Sequence, residues 1–171
     1  MKKSPRGFSL IELLIVVAII LIIAAIAIPN LLRSRIAANQ ASAVGSLRTL
    51  NTAEVTYSVT YNTGYTATLG DLGPPATGSN PVATAAGLID SVLAGSAASG
   101  AAATTSTKSG YVFVYSTSGT DASGRINTYQ ITATPITVAT TGTNFYYTDM
   151  SGVIRQNSTA VAGSTDSPLA G

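Results

Sequence analysis

Hydrophobic positions are concentrated near the N-terminus, where an apolar run extends from Phe8 to Ile28 and contains a single charged residue, Glu12. A helix of this length covers roughly 31 Å at about 1.5 Å per residue, which matches the hydrocarbon thickness of a bilayer. The pattern therefore predicts a helix that spans a membrane.

Positive charge precedes this run, carried by Lys2, Lys3 and Arg6. An excess of Lys and Arg keeps its end of a membrane helix in the cytoplasm, so everything after Pro29 is predicted to face outward. A secretory signal has a shorter apolar core and a small-residue cleavage site behind it, and no such site follows Ile28. The apolar segment is therefore predicted to be retained.

Beyond Pro29, apolar residues recur every three or four positions as far as Tyr61, which predicts an amphipathic helix over residues 30–61. A proline inside a helical pattern removes one backbone hydrogen bond, so a kink is predicted at Pro29. The second half of the helix, from about Val44, is predicted to pack against a sheet.

Residues 62–110 are predicted to form a variable loop region with one short helix. The helix is placed at residues 83–93, where apolar side chains share one face. Glycine and proline at residues 70–75 predict irregular structure, and the small polar residues at 95–109 predict a surface insertion.

Alternating and aromatic segments then predict an antiparallel sheet over residues 111–156, followed by a polar tail at residues 157–171. The predicted strands are residues 111–115, 126–134, 144–148 and 152–155. The fold class is therefore α+β, with a long N-terminal helix packed on a C-terminal antiparallel β-meander.

The N-terminal sequence resembles the leader and processing site of type IV prepilins and of the related type II secretion pseudopilins. It combines a short basic leader, a junction between Gly7 and Phe8, and Glu12 five residues after the glycine. The resemblance covers about residues 1–60 and implies a pilin-like fold. It also implies that a prepilin peptidase removes residues 1–7, that Phe8 is N-methylated, and that residues 8–29 form a transmembrane helix that becomes the filament core.

Two residues of this segment are predicted to act in assembly, Glu12 and Pro29. A carboxylate in a membrane helix costs on the order of a few kcal/mol and usually has a partner. Glu12 either reaches toward the lipid head groups or, as the resemblance implies, neutralises the Phe8 amine of a neighbouring subunit and fixes the register. Pro29 either bends the helix at the membrane surface or, again by resemblance, lets it loosen inside a fibre.

Composition limits the remaining possibilities. The 171 residues allow one membrane helix and one soluble domain of about 110 residues. The net charge of +2 becomes −1 without the three basic residues of the leader, so no nucleic-acid site is predicted. Cysteine and histidine are absent, and histidine is the commonest metal ligand and general base. The chain is therefore predicted not to be an enzyme and to bind no metal or other cofactor. Asp121 and Asp149 predict turns, with calcium binding as the alternative.

The resemblance implies a structural subunit of a type IV pilus that polymerises with copies of itself. The precursor would lie in the inner membrane and be extruded by an assembly platform and its ATPase into an extracellular filament for adhesion, motility or DNA uptake. Two alternatives stay open: a pseudopilin of a type II secretion system, and a membrane-anchored binding protein that never assembles.

Overall fold

The computed structural model describes residues 8–95 and 103–169. Helix α1 (Leu10–Tyr61) is followed by a short helix and six strands. The chain divides into two compact units between Arg35 and Ile36. The α+β fold class predicted from the sequence is confirmed.

The N-terminal unit consists of the apolar part of α1. Its large side chains are exposed from Phe8, at 79%, to Leu31, at 71%. The chain remains helical through Pro29. Within the described residues, α1 is the helix that is long and apolar enough to cross a membrane.

The second unit, Ile36–Gly171, contains the rest of α1 and an antiparallel meander in which each strand pairs with the next. Its elements after α1 are α2 (Leu69–Leu72), β1 (Thr105–Lys108), β2 (Tyr111–Thr120), β3 (Ile126–Pro135), β4 (Phe145–Asp149), β5 (Arg155–Asn157) and β6 (Ser167–Pro168). Neighbouring strands pair antiparallel because short turns join most of them.

The core lies between the second half of α1 and one face of β2 and β3. Alternate residues of these strands are buried, and Phe113 faces Ala133 in the register. Helix α1 contributes Ala43, Leu47, Leu50, Ala53 and Tyr57 to the same buried cluster. The predicted packing of the helix on the sheet is confirmed.

Asn51 fastens α1 to the sheet at the centre of this contact. Its Nδ2 donates to Thr148 Oγ1 at 2.9 Å, and its Oδ1 accepts from Tyr129 Oη at 3.1 Å. Nearer the start of the unit, Asn39 Nδ2 donates to the Thr141 carbonyl at 2.9 Å. These amides satisfy polar groups that the helix would otherwise bury without partners.

The short helix predicted at residues 83–93 is wrong. The amides of Ala86, Gly87 and Leu88 donate instead to carbonyls of the 71–73 segment at 2.8, 2.8 and 2.9 Å, so they are not available for a helix. Gly87 has a φ of +68°, which also interrupts helical geometry.

Helix α2 forms where irregular structure was predicted. The Asp71 carboxylate accepts from the backbone N–H of Thr68 at 3.0 Å and so caps the turn.

The sheet extends beyond both predicted limits. Strand β1 lies in the predicted surface insertion, and β6 lies in the predicted tail. Ser109 and Gly110 have φ values of +49° and +75° and join β1 to β2 as a two-residue hairpin loop. Residues 96–102 of the predicted insertion lie outside the described residues.

Candidate functional site

The first turn of α1 holds the only acidic side chain of the apolar segment. Ser9 is the N-cap, because its carbonyl accepts the first helical hydrogen bond from the Leu13 amide at 3.2 Å. Glu12 Oε2 accepts from the Ser9 N–H at 2.9 Å. This Ser-x-x-Glu arrangement turns the carboxylate back toward the start of the helix.

The Glu12 carboxylate is only partly engaged in this arrangement. The positive end of the helix dipole favours a negative group in the first turn. Among residues 8–95 and 103–169, no donor forms a hydrogen bond with Glu12 Oε1. Phe8 lies next to the N-cap and is 79% exposed. The carboxylate is therefore oriented toward the start of the helix, and its second oxygen accepts no hydrogen bond from the described residues.

The other predicted site residues are not gathered around Glu12. Gly7 lies outside the described residues. Pro29 lies inside α1, 17 positions further on, which corresponds to about 25 Å along a helix. Because proline has no N–H, the Ala25 carbonyl lacks its usual helical partner. The segment thus carries a charged end and, separately, a weakened turn.

The helix surface around Glu12 is apolar. Leu10, Leu13, Leu14 and Val17 line a shallow groove beside it. A helix that is hydrophobic on all faces requires a nonpolar surround, which is either lipid or other helices. In either case a carboxylate on its surface needs a partner of opposite charge or a route to water.

Two aspartates of the second unit, Asp121 and Asp149, hold turns, as predicted. Asp121 Oδ1 accepts from the amides of Ser123 and Arg125 at 2.9 and 3.0 Å, and Asp149 Oδ1 accepts from the Ser151 amide at 2.9 Å. The hydrogen bond from the Ser123 hydroxyl, together with the Arg125 amide, lowers the pKa of Asp121 to about 2. Within the described residues, no three His, Cys, Asp or Glu side chains are grouped to hold a metal ion.

The comparisons with known proteins concern the N-terminal segment. Residues 2–28 match the family described as the prokaryotic N-terminal methylation motif. The type IV major pilin protein PilA of Myxococcus xanthus is 52% identical over 52 residues, which are 30% of this chain and 24% of that protein. This N-terminal region is assigned to the methylation-motif family and is similar to the N-terminal region of a type IV major pilin.

A second relative agrees with this assignment. The type IV wide pilus major component PilA4 of Thermus thermophilus is 62% identical over 37 residues, which are 22% of this chain and 28% of that protein. The matched segment thus spans about a quarter of the length of each of these relatives. No solved structure matches the chain. The pilin family consists of structural subunits and not of enzymes, in agreement with the sequence prediction.

Ser9 is a residue of the candidate site that the sequence analysis did not predict. The signal was present, because a serine three residues before a glutamate at the start of a helix is the pattern of a capping box. The charge of Glu12 predicts a partner of opposite charge and does not by itself show that the backbone N–H of Ser9 also needs an acceptor.

Proposed function

We propose that this chain is the precursor of a type IV pilus subunit that polymerises through the apolar part of α1. The observation that carries the proposal is Glu12, a partly engaged carboxylate on the surface of an exposed apolar helix that bears the methylation motif. The filament would serve in adhesion, motility or DNA uptake.

Processing supplies the partner for Glu12 in this proposal. A prepilin peptidase cleaves between Gly7 and Phe8 at the cytoplasmic face, and the new terminal amine of Phe8 is methylated. The amine remains a cation at the same end of the helix as the Glu12 carboxylate. The start of each processed helix then carries one carboxylate, Glu12, and one ammonium group, the Phe8 amine. The Glu12 of one subunit can therefore pair with the Phe8 amine of the next.

The energetics favour a single register between neighbouring helices. Two opposite charges attract much more strongly in a nonpolar surround than at a wet surface, and an unpaired carboxylate there is heavily penalised. The Ser9 N–H holds Glu12 in position before the partner arrives, so less side-chain freedom is lost on assembly. A helix that slides out of register would separate the charges.

Pro29 contributes a local weakness to the same helix. With the Ala25 carbonyl unpaired, this turn can unwind at lower cost than an uninterrupted helix. In the proposed filament, such loosening allows neighbouring helices to approach closely and the fibre to extend.

The proposed route places the precursor in the inner membrane and the assembled subunit on the cell surface. Lys2, Lys3 and Arg6 keep the leader in the cytoplasm, where the peptidase acts. An assembly platform and a cytoplasmic ATPase then extract the subunit from the lipid into the filament.

The test uses cells that produce the full chain from its native locus. Surface material is sheared off, examined by electron microscopy and analysed by mass spectrometry. We expect fibres that contain a chain beginning with methylated Phe8. A processed chain that forms only short periplasmic assemblies would favour a secretion pseudopilin, and a chain with an intact Gly7 to Phe8 bond would favour a membrane-anchored protein that does not assemble.

The charge of Glu12 is tested with Glu12→Gln, because the glutamine oxygen can still accept from the Ser9 N–H. A loss of only about 1.4 kcal/mol per contact lowers an association constant tenfold, so at least a tenfold drop in sheared fibre is expected. Asp121→Asn is the matched control, since it also removes one carboxylate while asparagine suits the same turn. Wild-type amounts of fibre from Glu12→Gln would overturn the role of the charge.

A further inference from the structure

A second glutamate on α1 lies in an environment unlike that of Glu12. Glu54 is fully buried, with 0% of its surface exposed, and its neighbours Thr66 and Tyr115 are 0% and 1% exposed. Within the described residues, Glu54 forms no ion pair. A buried carboxylate without a cation is costly unless hydrogen bonds satisfy it or it binds a proton.

Four contacts connect these three residues. The Thr66 amide donates to Glu54 Oε2 at 3.0 Å, and Thr66 Oγ1 lies 2.6 Å from Glu54 Oε1. Thr66 Oγ1 also lies 3.1 Å from Tyr115 Oη, and Tyr115 Oη donates to the Thr66 carbonyl at 2.8 Å. The contacts join the end of α1, the segment that follows it, and β2.

The number of protons distinguishes two states of this cluster. An ionised Glu54 can only accept, and the Thr66 hydroxyl has one proton. The Thr66 hydroxyl can donate its proton either to Glu54 Oε1 or to Tyr115 Oη, but not to both. With Glu54 ionised and Tyr115 donating to the Thr66 carbonyl, the other of these two contacts has no proton and joins two acceptors. A neutral Glu54 donates to Thr66 Oγ1, which donates to Tyr115 Oη, which donates to the Thr66 carbonyl. Each contact then has one proton.

We infer that Glu54 is held as the neutral acid and forms with Thr66 and Tyr115 a proton-dependent latch between the end of α1 and β2. The latch fastens the helix to the sheet while the acid keeps its proton. Ionisation of Glu54 removes the proton that it donates to Thr66 Oγ1 and leaves a negative charge in the core. The contact between the end of α1 and β2 therefore weakens as the pH rises.

The electrostatic surroundings agree with this inference. Burial raises the pKa of Glu54 above its ordinary 4.5, the hydrogen bonds from Thr66 and Tyr115 lower it in part, and the negative charge of Asp71 on α2 raises it. Among the described residues, the titratable groups that act on Glu54 besides Asp71 are tyrosines: Tyr115 of the cluster itself, Tyr57 on α1 and Tyr129 on β3. Burial raises the pKa of each of them, so they remain neutral donors.

The sign of the pH dependence follows from the raised pKa. The folded chain holds a proton that the unfolded chain has released, so the stabilisation is complete below pH 4.5 and is lost as the pH rises through the folded-state pKa. In that window the folded-to-unfolded ratio falls by up to about tenfold per pH unit. A carboxylate stabilised in its ionised form would show the opposite slope.

The protonation state can be observed directly, because Glu12 and Glu54 are the only glutamates in the sequence. The full chain carrying Glu12→Gln is labelled with ¹³C at the glutamate carboxyl carbon and studied by NMR in detergent micelles, so that the signal belongs to Glu54 alone. We expect a protonated signal at pH values where the same chain, unfolded in urea, has already ionised. Ionisation at or below the pH found for the unfolded chain would overturn the inference.

Stability provides the second measurement. Wild type, Glu54→Gln and Asp121→Asn are unfolded with urea at several pH values above 4.5, in the same detergent. We expect wild type and Asp121→Asn to lose stability as the pH rises and Glu54→Gln to lack this slope, because an amide does not ionise. A slope unchanged in Glu54→Gln, or a wild type that gains stability over this range, would contradict the latch. Both measurements use solubilised subunits and so do not depend on polymerisation.

Discussion

Adding one methyl group at Gly142 should destabilise the second unit, Ile36–Gly171, by a predictable amount. A Cβ atom at this position would lie 2.6 Å from Tyr111 Cζ and 2.8 Å from Cε2, and closer still to the hydroxyl oxygen. Tyr111 is 0% exposed, and its hydroxyl donates to the Asn144 carbonyl at 2.8 Å. The ring cannot swing into solvent, so Gly142→Ala must displace packed atoms.

The expected cost combines two effects. Overpacking a well-filled core costs typically about 1–3 kcal/mol. If the ring shifts, the hydrogen bond to Asn144 is lost as well, which contributes about 1 kcal/mol. A total of about 3 kcal/mol lowers the melting temperature by roughly 10 °C, at about 3–4 °C per kcal/mol for a unit of this size.

Gly45→Ala is the matched control because it makes the same chemical change on the exposed side of α1. A Cβ atom at Gly45 meets nothing within 4 Å. Alanine is favoured over glycine in a helix by about 0.8–1.0 kcal/mol, so this variant should be more stable than the wild type. The two substitutions therefore have opposite expected signs.

The assay is thermal unfolding of the full chain in detergent, followed by near-ultraviolet circular dichroism of its eight tyrosines. Gly142→Ala should melt below the wild type and Gly45→Ala above it. If Gly142→Ala melts at or above the wild-type temperature, the packing of Tyr111 against Gly142 is not as described. If both variants melt lower, the loss is not specific to that contact.

Two other predictions concern the core and the exposed hairpin between β2 and β3. Leu50 is 0% exposed, so Leu50→Ala should lower the free energy of unfolding, measured with urea, by about 2–5 kcal/mol. Val59 is 79% exposed on the same helix, so Val59→Ala should change that free energy by less than about 0.5 kcal/mol. Equal losses in the two variants would contradict the assignment of Leu50 to the buried face of α1. Because hydrogen bonds lower the pKa of Asp121 from 3.8 to about 2, its stabilisation of the turn is present above pH 3.8 and lost as the pH falls toward 2. A carboxyl ¹³C titration of Asp121 with its midpoint at 3.8 or higher would contradict this.

The parts of the fold that the sequence predicted are those in which one periodicity extends over many residues. Helix α1 has an uninterrupted apolar run followed by a helical periodicity over residues 30–61, and β2 and β3 bury alternate residues, so a local signal and the observed structure agree. The N-terminal methylation motif was predictable for a different reason. Its charge, glycine and apolar run are contiguous, so the motif does not depend on contacts between distant residues.

The failures occurred where partners lie far apart or where a short turn decides the structure. Residues 83–93 carry apolar side chains at a spacing that suits a helix, but the amides of residues 86–88 bond to the 71–73 segment, which no local pattern shows. Strand β1 became possible through the left-handed pair Ser109 and Gly110, a turn signal that the small-residue composition around it concealed. Both cases show tertiary or turn geometry overriding local preference.

Glu54 was missed because its surroundings, and not its sequence position, determine its behaviour. The two glutamates lie on one helix, 42 positions apart, and each accepts a backbone N–H at 2.9–3.0 Å. Around Glu12 the remaining oxygen is open and the surface is apolar, so the charge is available to a cation from another molecule. Around Glu54 the remaining oxygen meets a hydroxyl inside the core and, among the described residues, no cation pairs with it, so in the proposed latch a proton takes that place. In these two proposals the same side chain serves association between subunits at one end of α1 and cohesion within the subunit at the other, and the access of a counter-charge decides which.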